Sequence, residues 1–149
     1  MLITSRMKRV VDFIKRFEGF SPTAYVCPGG KWTIGYGTVL PGPTSRVVTR
    51  EEAEGMLMDE VLKVRAGVLA LVDIDGSRLD ALVSFAYNLG LGALGRSTLL
   101  RKVRANPSDP SIRNEFRRWV FAGGVRLKGL AVRRDAEADM YFSDDFCNK

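Results

Sequence analysis

FEGFSPTAYVCPGGKWTIGYGTVL, residues 17–40, is the stretch on which the fold turns. Just before and into it, Val10, Ile14 and Phe17 recur at helical spacing, with Val11 and Phe13 widening the apolar stripe. Residues from about 6 to 18 are therefore expected to form an amphipathic helix. Gly19 should end it, since glycine is the residue best suited to the position just past a helix. From Ala24 to about Leu40 the texture changes: Tyr, Val, Trp, Thr and Ile are interrupted by Pro28, Gly29, Gly30, Gly35 and Gly37. That is the pattern of a short hairpin with a glycine-rich exit.

Beyond the hairpin, helical signals dominate. Thr49-Arg50-Glu51-Glu52 reads as a capping box, opening a helix that carries Ala53, Met56, Leu57, Val61 and Val64. A break falls around Asp73–Gly76, and Leu79, Leu82, Val83, Phe85, Ala86 and Leu89 then form an apolar helix closed by Gly90. A shorter helix should follow Ser97. Asp109-Pro110 offers an N-cap and first-turn proline for another, running through Trp119, and Gly123-Gly124 breaks it. A last helix is expected from about Ala131 to Phe142. The expected class is α+β: mostly helical, with one small N-terminal sheet and a helical C-terminal lobe.

Composition narrows the chemistry. The 149 residues include no histidine, which removes Ser-His-Asp hydrolysis, Cys-His proteolysis and most zinc sites. Acid–base work must fall to carboxylates, thiols, lysine or tyrosine. Cys27 and Cys147 are isolated and far apart, giving neither metal-ligand spacing nor a disulfide framework; whether they approach is open. The net charge of +6 favours an anionic partner: nucleic acid, an anionic membrane or a bacterial cell wall. Charges at Arg6, Lys8, Arg9, Asp12, Lys15 and Arg16 leave no apolar core for a signal peptide or membrane span near the N-terminus.

Glu18 sits in the last turn of the first helix, where the negative end of the dipole disfavours a carboxylate. That field, with Phe17 and Phe20 nearby, favours the neutral form a general acid needs. A solvated glutamate at a frayed helix end is the alternative. If Pro28-Gly29-Gly30 form the turn, Cys27 faces Lys31 and Tyr25 faces Thr33. Alternation then puts these four on one face and Trp32 and Ile34 on the other. Cys27 and Thr33 would be diagonal neighbours able to hold one water; a small buried cysteine beside a strand-forming threonine is the alternative.

Glu18, eight residues, Cys27, five residues, Thr33 resembles the Glu…Asp/Cys…Thr signature of the phage lysozymes of glycoside hydrolase family 24. The resemblance extends in order through Phe17-Glu18-Gly19-Phe20, Thr33-Ile34-Gly35-Tyr36-Gly37-Thr38, the stretch Ala81–Gly90, Ser97-Thr98-Leu99-Leu100, Trp119, and Gly129-Leu130 followed by Arg133-Arg134. It implies one lysozyme-like catalytic domain over 1–149, with a small sheet lobe at about 20–48 and a helical lobe made of about 49–149 plus the N-terminal helix. It also implies hydrolysis of the β-1,4 bond from N-acetylmuramic acid to N-acetylglucosamine, without metal or organic cofactor. Glu18 would protonate the leaving oxygen, Cys27 would activate or stabilise the attacking water or shield the cationic centre, and Thr33 would position that water. Tyr87 and Asn88, with Thr98, would line the saccharide cleft. Arg133 or Arg134 would pair with Glu18, or the doublet would be the solvated start of the last helix.

Cysteine departs from the two-carboxylate scheme of glycosidases. A thiol with its ordinary pKa of about 8.5 is mostly neutral at neutral pH; an ionised Glu18 would raise it and Lys31 would lower it. Cys27 is therefore expected to assist and Glu18 to be indispensable. A lytic transglycosylase, which ends in a 1,6-anhydro product, is the nearest rival, and a basic nucleic-acid- or membrane-binding protein a distant one. The expected partner is the glycan strand, with weak anionic-membrane contact, no specific nucleic acid and a monomeric state. In the arginine-rich segment Arg113–Arg134, Phe116, Trp119 and Phe121 are expected to face the core. The resemblance implies synthesis in the host cytoplasm and action in the periplasm after release.

Overall fold

The apolar stripe of the first helix is its buried face. In the computed structural model, which describes residues 2–147 and the side chains of 6–143, α1 (Leu2–Glu18) buries Met7, Val10, Val11 and Ile14. Phe13 and Phe17 are half-buried, their rings 5.1 Å apart under the Arg16 guanidinium. The helix begins earlier than periodicity suggested, at Leu2. The side chain of Cys147 lies outside the described residues.

Two compact units divide the chain, one ending at Lys63 and one starting at Val64. The first holds α1, the three-stranded antiparallel sheet of β1 (Ser21–Val26), β2 (Trp32–Gly35) and β3 (Thr38–Val39), and the first part of α2 (Arg50–Leu71). The capping box forms in both directions: Glu52 N–H donates to Thr49 Oγ1 at 3.1 Å, and Thr49 N–H to Glu52 Oε1 at 3.2 Å. Ile34, Tyr36, Val48, Ala53, Leu57 and Val61 join the α1 stripe in the core of this unit. Full burial of each aliphatic side chain stabilises by roughly 2 kcal/mol.

In the second unit α3 (Gly76–Leu89) is the central element, with every residue from Leu79 to Ala86 buried. Around it lie α4 (Leu91–Gly95), α5 (Thr98–Ala105), α6 (Ile112–Arg117) and α7 (Lys128–Cys147). Phe85 meets Phe116 and Trp119 edge-on at 5.9 and 5.5 Å, and Phe116 meets Tyr141 at 5.9 Å. Ser97 caps α5, its Oγ accepting from Leu100 N–H at 3.0 Å, and Gly90 closes α3 with its N–H on Ala86 O at 2.7 Å.

Several boundaries differ from the sequence expectation. Asp109 does not cap a helix at Pro110; its Oδ1 accepts from Ser111 N–H and Oγ at 2.9 and 2.8 Å, an Asx-type turn that delays α6 to Ile112. That helix ends at Arg117, before Trp119. Gly123-Gly124 is the turn of a second, two-stranded sheet, β4 (Phe121–Ala122) with β5 (Val125–Arg126), which a one-sheet reading omits. Neither α4 nor the early start of α7 at Lys128 was expected. The class is nonetheless α+β, mostly helical with small antiparallel sheets.

Candidate active site

Glu18 is the last residue of α1, and the aromatic residues following that helix hold its end in place. Gly19 N–H closes the helix on Lys15 O at 3.2 Å, Phe20 packs on Tyr36 with centroids 5.2 Å apart, and the Arg50 guanidinium stacks 4.4 Å over the Phe20 ring. The Lys15 ammonium lies 5.1 Å over Tyr36 and pairs with Glu54 at 3.3 Å. This cluster delivers the half-buried Glu18 carboxyl to the turn between β2 and β3. There Gly37, at φ +84°, makes room for it: a Cβ on Gly37 would fall 2.7 Å from Glu18 Oε2. The glycine-rich exit thus has a steric reason that reading it as turn chemistry alone does not reveal.

The hairpin has the expected register. Tyr25 opposes Thr33 and Val26 opposes Trp32. Cys27 O accepts from Gly30 N–H at 2.8 Å and Cys27 N–H donates to Lys31 O at 2.9 Å, a three-residue loop with a glycine bulge. Tyr25, Cys27, Lys31 and Thr33 therefore share a face. Thr33 is buried, its hydroxyl donating to Lys31 O at 3.1 Å.

The sulfur departs from expectation. The Lys31 main chain, and after it the Thr33 side chain, stabilise the Cys27 thiolate and hold its pKa below the ordinary thiol value. The Lys31 contribution thus comes from its main chain and not from the side-chain charge expected across the turn. Tyr25, absent from the expected site, is drawn into it electrostatically. Tyr25 is 39% exposed, so the leading desolvation is only partial; with it, the charges of Glu18 and Cys27 push the phenol above the ordinary value. Its place opposite Thr33 was the signal that could have flagged it.

In the second unit the arginine doublet is buried, which removes the solvated-start alternative. Arg134 Nε lies 2.8 Å from Glu137 Oε1 and its Nη2 donates to Asn88 Oδ1 at 2.7 Å, while its guanidinium sits 5.2 Å over Phe85. Arg133 pairs with Glu137 Oε2 at 3.4 Å and donates to Ser84 O at 3.3 Å. Burial pushes the Glu137 carboxyl up, against the pull of both arginines. Sequence reading missed Glu137, although its i+3 and i+4 spacing from the doublet marks it as a helical partner. Tyr87 and Asn88 are half-buried on α3. Thr98 is exposed at the start of α5, in a hollow of about 310 Å³ with Arg96, Ser97, Glu115, Arg118 and Trp119. Among the described residues, no cluster of three or more His, Cys, Asp or Glu side chains is placed to hold a metal ion.

The family model described as phage lysozyme matches residues 15–137. An endolysin of Bacillus phage B103 is 41% identical over 146 residues, covering 93% of this chain and 54% of that protein. The chain thus spans about half the length of that relative. An endolysin of Acyrthosiphon pisum secondary endosymbiont phage 1 is 37% identical over 87% of this chain and 92% of its own. Among solved structures, the muramidase domain of SpmX from Asticaccaulis excentricus superposes with a TM-score of 0.80, at 31% identity over 90% of this chain and 95% of that one.

Proposed function

The chain belongs to the phage lysozyme family, and on that premise we propose that it is a muramidase acting as an endolysin, hydrolysing the β-1,4 bond between N-acetylmuramic acid and N-acetylglucosamine in peptidoglycan. The observation that carries this reading is the Glu18 carboxyl seated against Gly37 at the end of α1, beside the sheet face that bears Tyr25, Cys27 and Thr33. Glu18 gives its proton to the glycosidic oxygen as the bond breaks, and water adds to the resulting oxocarbenium-like centre with loss of one proton, which returns the carboxyl to its acid form. Cys27 and Thr33 hold that water or shield the centre. The polarised sulfur suits this supporting part, since its hydrogen bonds favour the anion that can accept from water.

On the family resemblance we further propose Tyr87, Asn88 and Thr98 as saccharide-binding residues and one of Arg133 and Arg134 as the support of Glu18. The whole chain works as one catalytic domain and as a monomer, and the reaction needs no metal or organic cofactor. No described helix is long and apolar enough to cross a membrane. The enzyme is made in the host cytoplasm and reaches the wall in the periplasm after release. Its net positive charge speeds approach to the anionic wall and the lipid beside it, with no specific nucleic-acid partner.

Mass spectrometry of digested muropeptides tests the reaction: reducing ends are expected, whereas 1,6-anhydro ends would make it a lytic transglycosylase. Folded Glu18→Gln should lose wall clearing, and Cys27→Ala and Cys27→Asp should retain part of it. Substantial lysis by Glu18→Gln would sink the assignment.

A further inference from the structure

Residues 116–134 contain no acidic residue but six cations: Arg117, Arg118, Arg126, Lys128, Arg133 and Arg134. The structure sorts these charges. Arg117 pairs with Asp135 at 2.7 Å, Arg118 with Glu115 at 3.0 Å, and the doublet is buried on Glu137. Among the described residues, Arg126 and Lys128 carry no carboxylate partner, and both are exposed.

These two cations belong to the β4–β5 hairpin and the residues just after it, whose apolar side chains are also exposed. Phe116 is buried and Trp119 rests on Phe85, as core residues should. Phe121, expected to face inward with them, is 58% exposed, Val125 60% and Leu127 42%. The register sets Phe121 beside Arg126 on one face and Ala122 beside Val125 on the other. Apolar side chains thus project from both faces of the ribbon. A flap packed on its own protein would cover one face; this one covers neither. Gly123 and Gly124, at φ +57° and +78°, form a tight two-residue turn without a side chain at the tip. Two residues per strand reach about 7 Å, comparable with the roughly 5–10 Å over which interfacial elements enter the headgroup–acyl boundary.

We propose that the hairpin from Phe121 to Lys128 is a docking element for an anionic phospholipid bilayer, with Phe121, Val125 and Leu127 entering the interface and Arg126 and Lys128 meeting the lipid phosphates. The exposed apolar side chains favour lipid over a soluble polyanion, for which cations alone would suffice. The proposal goes beyond the muramidase reading and does not depend on it, because adhesion requires no glycan cleavage.

Cosedimentation of the full chain with phosphatidylcholine vesicles, with and without phosphatidylglycerol, tests it. Binding is expected only to the anionic vesicles and should weaken with added salt. Phe121→Ser/Val125→Ser and Arg126→Gln/Lys128→Gln should each weaken it by about tenfold or more, with unchanged thermal melting and unchanged cleavage of lipid-free peptidoglycan. Absence of wild-type binding, or equal binding by wild type and both variants, would overturn the proposal. A parallel loss of cleavage of lipid-free peptidoglycan would also overturn it, by placing the hairpin in glycan recognition. Inactivity of the wild type on peptidoglycan would instead count against the muramidase reading alone.

Discussion

Gly37→Ala isolates the seating of the Glu18 carboxyl. The new methyl group would lie 2.7 Å from Oε2 and 3.2 Å from Cδ, where ordinary contact starts at 3.4 Å. The carboxyl must therefore withdraw by 3.4 − 2.7, or 0.7 Å. Because it ends a flexible side chain, the move itself is cheap; the consequence is catalytic. A misplacement near 1 Å costs about a hundredfold in rate, so a fall of roughly 10–100-fold in kcat is expected. Alanine at φ +84° adds a backbone penalty of about 1–2 kcal/mol in stability. Gly124→Ala controls for that penalty, since Gly124 has φ +78° and nothing within 4 Å of its built Cβ. Reducing-end release from purified lipid-free peptidoglycan, with melting curves for both variants, reads the two effects separately. Wild-type kcat in folded Gly37→Ala, or an equal kcat loss in Gly124→Ala, would refute the argument that the carboxyl position matters.

Glu137→Ala removes the carboxylate from beneath two buried arginines, and denaturant unfolding should show a loss of about 3–5 kcal/mol. Thr49→Ala deletes one arm of the capping box and should cost about 1 kcal/mol by the same measurement. The main-chain and side-chain bonds of Thr49, followed by Arg46, depress the Glu52 pKa. Its contribution to stability is therefore full above the ordinary glutamate range and is lost as pH falls through the lower folded value. Thr49→Ala keeps the main-chain bond, the larger cause, and removes the side-chain one, so it should reduce that part of the pH–stability curve without abolishing it. Iodoacetamide labelling of Cys27, with Cys147 replaced by serine, should reach half-maximal rate at a lower pH than for a free thiol, and Thr33→Val should move the profile upward.

Local rules made half of the site readable. The α1 stripe, its end at Glu18, the Thr49 capping box and the Tyr25–Thr33 register each depend on residues a few positions apart. Helical period, cap chemistry and hairpin loop length are enforced at that range, so the residue order determines them almost regardless of surroundings. Where rival local bonds were available the outcome was less legible. Asp109 could cap a helix or bond Ser111, and it bonds Ser111.

What only the tertiary structure decided is burial and approach between distant segments. Gly37 reads as turn chemistry until the carboxyl of Glu18, nineteen positions earlier, is seen against it. Arg133 and Arg134 are surface residues by composition, yet packing on Phe85 and pairing with Glu137 place them in the interior. Phe121 looks like core and stands in solvent. Desolvation and steric exclusion act between neighbours in space, and a one-dimensional pattern records those neighbours only when they are also close in the chain. The order of residues thus determined which elements form and where Glu18 falls; the packed chain decided what surrounds it and which charges are left facing outward.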